Sequence, residues 1–98
     1  MARFAGKKVL VTGASSGIGE GIAIHFAREG ASVAINYHSG QDRAESVKKK
    51  AEEAAQKAGA KVNIMTVKAD VSKEDQVNAM FEKAIGQLGG LDILINNS

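Results

Sequence analysis

Four short runs of aliphatic and β-branched residues, each followed or preceded by a helical pattern, constrain this chain more than any other feature. They read "KKVLVTG" from Lys7, "SVAINY" from Ser32, "VNIMTVKAD" from Val62 and "LDILIN" from Leu91. Each is nearly uniformly apolar rather than alternating, the pattern of a strand covered on both faces. Between the first two, Ile18, Ile22, His25 and Phe26 recur at helical spacing as far as Gly30, which places His25 on the inner stripe as a packing residue. Gln41 to Ala58 is a long helix with an inner stripe of Ala44, Val47, Ala51, Ala55 and Ala58, small enough to lie close to a sheet. Ser72 stands where an N-cap is expected, with Glu74 and Asp75 in the first turn. Val77, Met80, Phe81, Ala84, Ile85 and Leu88 then form an apolar face that Gly89-Gly90 ends.

Alternation of buried strands with helices predicts an α/β fold: a three-layer, doubly wound parallel sheet. Right-handed crossovers restrict the layout. If strands 1, 2 and 3 step outward, the first two helices share one face. The third connection reverses to put strand 4 beside strand 1, with its helix on the other face. The predicted order is 3-2-1-4, and the switch point between strands 1 and 4 is where such sheets bind ligands.

The 98 residues suffice for one small domain, so residues 1–98 are read as a single domain. A net charge of +2 gives no nucleic-acid footprint, and Lys48-Lys49-Lys50 lies among Glu45, Glu52 and Glu53 as a solvated helix face. The absence of cysteine excludes disulfides, thiolate metal sites and a cysteine nucleophile. No apolar run approaches the ~18 residues of a membrane span, and "MARFAGKK" lacks a signal-peptide core, so the expected setting is the cytoplasm, with no membrane partner.

The switch point coincides with "VTGASSGIGEG", a loop of glycine and serine without a basic residue. Glycines let a pyrophosphate approach the backbone without meeting a Cβ, and a helix N-terminus supplies unpaired N–H groups, so no cationic side chain is needed. A P-loop requires Gly-Lys-Ser/Thr, but Glu20 follows Gly19 here. The G-x-G-x-x-G fingerprint also fails, because Ile22 stands three residues beyond Gly19.

The actual spacing, Thr12-Gly13-x-x-x-Gly17-x-Gly19, resembles the cofactor loop of the short-chain dehydrogenase/reductase family. "KADV" after strand 3 resembles that family's adenine-contacting segment, and "INNS" its Asn-Asn-Ala-Gly, with Ser98 in place of alanine. The resemblance implies a Rossmann-type half and carries roles position by position. Gly13 makes the turn, Gly17 admits the pyrophosphate and Gly19 permits helix–strand packing, while Ser15, Ser16 and Ile18 line the ribose–phosphate path. Asp70 accepts from the adenine amino group, Val71 donates or packs beside the ring, and Asn96 sits at the mouth between strands 1 and 4. Asn97 reads more simply as turn chemistry.

The end of strand 2 decides between NAD and NADP. An acid there holds the free ribose 2′-OH and repels a phosphate. This chain has Asn36-Tyr37-His38-Ser39 and no acid before Asp42, which predicts NADP rather than NAD. Tyr37, His38 and Ser39 belong to this adenosine end, and His38 stands about where NADP-preferring relatives carry arginine.

The family's catalytic Tyr-x-x-x-Lys is missing, since Gln41 lies four residues beyond the only tyrosine, Tyr37. The sequence therefore reads as the N-terminal half of an oxidoreductase that moves a hydride between a nicotinamide cofactor and a carbonyl or alcohol. By itself it is expected to be inactive. The alternatives are a stand-alone nucleotide-binding module and a self-associating half-domain. The second alternative expects strand 4, Leu91 to Ile95, to pair with a second copy through its open edge. For substrate, "VAINYHS" and "LDILINNS" resemble reductases of sugars, ketoacyl thioesters and aromatic ketones alike.

Overall fold

The computed structural model describes residues 3–97. Its elements alternate as the apolar runs require: β1 (Lys8–Val11), α1 (Gly17–Arg28), β2 (Ser32–Tyr37), α2 (Gln41–Lys57), β3 (Ile64–Lys68), α3 (Glu74–Leu88) and β4 (Ile93–Ile95). All strand pairs are parallel, in the order β3-β2-β1-β4. Val9 pairs with Val33 on one side and Ile93 on the other, so β1 is central and the switch point lies between β1 and β4. Asp92 closes the lower end of that seam: its N–H donates to the Lys8 carbonyl at 2.8 Å, and its Oδ2 accepts from the Lys8 N–H at 2.9 Å.

Strand alternation sends two sets of side chains to two helical layers. Val9, Val11, Val33, Ile35 and Tyr37 face α1 and α2, where they meet Ala23, Ala27, Ala44, Val47, Ala51 and Ala55. Leu10, Ala34, Met65 and Val67 face α3, against Met80, Ala84 and Leu88. Each large aliphatic side chain buried this way contributes roughly 1.5–3 kcal/mol. The alanine stripe lets α1 and α2 share one face, and Lys50 ties them with an ion pair to Glu20 at 3.1 Å.

Several local expectations need correction. The inner stripe of α1 is Gly19, Ala23 and Ala27, not Ile18 and His25. Ile18 is 77% exposed, and His25 lies on the outside with Nδ1 3.1 Å from Arg28 Nη2. Small residues won this face because α1 lies close against the sheet. Ala58 is exposed beyond the end of α2, so only four of the five expected stripe positions face inward. Ser72 does not cap α3; the N-cap is Lys73, without a side-chain bond, because the Ser72 hydroxyl is committed to Asp70. Ile85 is 46% exposed on α3. Finally, β4 is three residues long, with Leu94 47% exposed, and is not a buried strand within the described chain.

Candidate functional site

The Thr12–Ser16 loop leaves β1 at its carboxyl end and enters α1 with Gly13 at φ +60° and Gly17 at φ +63°. This left-handed region disfavours any residue with a Cβ. Ser16 is extended and its hydroxyl makes no capping bond to the helix. The first helical bond runs from Glu20 N–H to the Ser16 carbonyl at 3.4 Å. The N–H groups of Gly17, Ile18 and Gly19 therefore have no intrahelical acceptor, and they stand at the positive end of the helix dipole. A Cβ built on Gly17 would meet nothing within 4 Å, so no protein atom crowds that side of the helix start. Glu20, the acid in the first turn, is drawn to Lys50. The result is a backbone cradle for an anion.

Five residues fix the shape of the cradle. The Thr12 hydroxyl accepts from Asn97 N–H at 2.9 Å and lies 3.3 Å from Asn96 Oδ1. The Asn97 amide donates to the Gly13 carbonyl at 3.1 Å, binding the end of β4 to the loop. Asn36, 2% exposed, accepts from Gly13 N–H through Oδ1 at 3.1 Å. Gly19 is pressed onto the same loop: an added Cβ would lie 2.6 Å from Asn97 Nδ2 and 2.9 Å from Ala14 Cα, and closer still to the Gly13 carbonyl.

A second group of residues gathers beyond β2 and β3. Asp70 Oδ1 accepts from Ser72 Oγ at 2.6 Å and Ser72 N–H at 2.9 Å, while Oδ2 lies 3.7 Å from His38 Nε2. The Ser72 hydroxyl first, then its N–H, and then the charges of His38 and Lys73 hold the Asp70 carboxyl below its ordinary value. His38 and Ser39 are exposed, whereas the Tyr37 side chain packs into the α1/α2 core. Arg43 folds back over Gly40, where an added Cβ would stand 3.6 Å from its Nε. Next to the loop, a cavity of about 160 Å³ is lined by Thr12, Val71, Met80, Phe81, Leu94 and Asn96 among others. An open groove of about 790 Å³ lies around Gly59–Asn63 at the opposite end of the sheet, and no candidate residue lines it.

The carboxyl ends of the strands thus bring together Thr12, Gly13, Ser15, Ser16, Gly17, Ile18 and Gly19 in the loop, with Asn96 beside them. Asp70, Val71, His38 and Ser39 form the neighbouring group. Two contributors were missed in the sequence. Asn36 is signalled only as a polar residue inside an apolar strand, and Arg43 only as a cation three residues beyond Gly40. Asn97, read as turn chemistry, makes two bonds to the loop. Ser98 lies outside the described residues. Among the described residues there is no group of three or more metal-ligating side chains, and no helix is long and apolar enough to cross a membrane.

The family model for short chain dehydrogenases matches residues 7–98. The chain belongs to the short-chain dehydrogenase family. The glucose 1-dehydrogenase of Gluconobacter oxydans is 47% identical over 96 residues, covering 98% of this chain and 34% of that protein. A hydroxynaphthalene reductase-like protein of Metarhizium guizhouense is 44% identical over 94 residues, covering 96% and 33%. A solved short chain dehydrogenase from Burkholderia cenocepacia, in complex with NADP, superposes with a TM-score of 0.87 at 38% identity, over 98% of this chain and 37% of that one. The chain spans about a third of the length of these short-chain dehydrogenase relatives. The sheet order and the three helices form a Rossmann-type half.

Proposed function

We propose that this chain is the nucleotide-binding portion of an NAD(P)-dependent short-chain oxidoreductase, gripping the adenosine and pyrophosphate of the dinucleotide. The observation that carries this reading is the uncapped start of α1: three N–H groups without acceptors beside a Gly17 whose Cβ direction is open. A cradle of this kind accepts two phosphates without a counter-charge. When bound, the nicotinamide supplies a hydride to a carbonyl or takes one from an alcohol. The residues of this chain bind and orient. Gly13 and Gly17 leave room for the pyrophosphate, Ser15, Ser16 and Ile18 border it, and Thr12 and Asn96 line the inner wall. Asp70 and Val71 flank the adenine, with Val71 closing one side of the 160 Å³ cavity.

The reading favours NADP over NAD. No acid follows β2 before Asp42, while His38 and Ser39 come directly after that strand and Arg43 folds over Gly40, a segment able to donate to a 2′-phosphate. The Asp70 Oδ2 lies 3.7 Å from His38 Nε2, so the imidazole is tethered beside that strand end. The Burkholderia relative, solved with NADP, supports the same choice. Calorimetric titration with NADP tests the proposal. Saturable binding lost in Gly13→Val and Gly17→Val is the expected result. Equal affinity in the wild type and both variants contradicts it.

A further inference from the structure

We propose that Asn36 is a positioning residue that holds the pyrophosphate loop and the adenine segment at a fixed separation, so that nucleotide affinity depends on a side chain that never touches the nucleotide. The inference rests on the nucleotide-binding reading above.

Asn36 is the fifth residue of β2 and faces the α3 layer, buried to 2% exposure directly after the apolar run Val33, Ala34 and Ile35. Its side chain reaches two places at once. Oδ1 accepts from Gly13 N–H at 3.1 Å, and Nδ2 donates to the carbonyls of Val67 and Ala69, each at 3.3 Å. Its own carbonyl accepts from Ala14 N–H at 2.9 Å. Gly13 opens the phosphate loop, and Ala69 immediately precedes Asp70 and Val71. The Asn36 side chain thus joins that loop directly to the end of β3.

The chemistry of the amide explains why this residue type is present. One planar group offers an acceptor toward β1 and two donors toward β3. An aliphatic residue would leave the Gly13 N–H and two carbonyls without this partner, and unpaired buried backbone groups are costly. A carboxylate would keep the acceptor but turn an oxygen toward two carbonyl oxygens. With the amide in place, the loop and the adenine segment move as one body, and the cradle is shaped before the ligand arrives. This is pre-organisation, and it acts on affinity by cutting the ordering cost of binding.

The test titrates ADP-ribose into the wild type, Asn36→Ala, Asn36→Ser and Val33→Ala, at a temperature where circular dichroism shows each fully folded. Val33 is fully buried at the far end of the same strand, so its truncation lowers stability without touching the clasp. Amide hydrogen exchange at Gly13 is followed in parallel, with Ala14 as the internal reference. The expected result is affinity weakened about tenfold in Asn36→Ala and less in Asn36→Ser, with Gly13 exchange accelerated relative to Ala14 and Val33→Ala binding as the wild type does. Wild-type affinity in the folded Asn36 variants overturns the inference and leaves the nucleotide reading intact. Equal weakening in Val33→Ala overturns it too, because the effect would then be general. A wild-type protein that ignores ADP-ribose, while Gly13 exchange still accelerates in the variants, overturns the nucleotide reading itself.

Discussion

Two glycines in α1, separated by one residue, should respond to alanine in opposite directions. Gly19 has no free volume: its new Cβ would lie 2.6 Å from Asn97 Nδ2 and 2.9 Å from Ala14 Cα, and closer still to the Gly13 carbonyl. Two of these neighbours are backbone and cannot swing aside. Moving Asn97 breaks its 3.1 Å bond to the Gly13 carbonyl. Forcing a methyl into such a contact costs roughly 1–3 kcal/mol, and the lost hydrogen bond adds about 1 kcal/mol. The helical gain of alanine over glycine offsets only about 0.5–1 kcal/mol. Gly19→Ala should therefore destabilise by about 1–3 kcal/mol, lowering the midpoint by about 4–8 °C for each kcal/mol. Gly21 is exposed, and a Cβ there meets nothing within 4 Å. Gly21→Ala should stabilise by about 0.5–1 kcal/mol. Thermal and urea unfolding followed by circular dichroism measures both. A Gly19→Ala variant as stable as Gly21→Ala would refute the close seating of α1 on the loop.

At the end of β2, His38→Asp should shift preference from NADP toward NAD by about fivefold, in line with ~1 kcal/mol at an exposed site; an unchanged affinity ratio would remove His38 from cofactor choice. The Asp70 carboxyl titrates below its ordinary value chiefly because of the Ser72 hydroxyl, so its contribution to stability is full above the ordinary value and lost as pH falls through the lowered one. Ser72→Ala should raise the Asp70 carboxyl midpoint in an NMR titration, and an unmoved midpoint would reject the hydroxyl as the cause. In the 98-residue polypeptide, β4 pairs only with β1 among the described strands, so sedimentation should show association through its open edge. Ile93→Lys should weaken that association, and a monomer at high concentration would dismiss it.

The sheet order could be read from sequence because uniformly apolar runs, such as Val9–Val11 and Val33–Ile35, leave few topologies once crossovers are right-handed. The cradle was equally legible, since three glycines at that spacing between a strand and a helix have few other uses. Periodicity failed where close packing selects small residues: it chose Ile18 and His25 for the inner face of α1, whereas Gly19, Ala23 and Ala27 occupy it. It failed again at Ser72, because a hydroxyl beside a carboxylate has a stronger partner than a helix N-terminus. Asn36 and Asn97 were underread for one reason. Their bonds join positions 23 to 85 residues apart in sequence, and no local pattern reports such partners.

The most direct test of the central claim is an ADP-ribose titration of the ¹⁵N-labelled protein, read at individual backbone amides. The Gly17, Ile18 and Gly19 signals should shift together and saturate, with Asp70 and Val71 following the same curve, and Gly17→Val should abolish the response. Saturable shifts centred on the groove at Gly59–Asn63, or none at all, would contradict the claim that the start of α1 is where this chain holds its nucleotide.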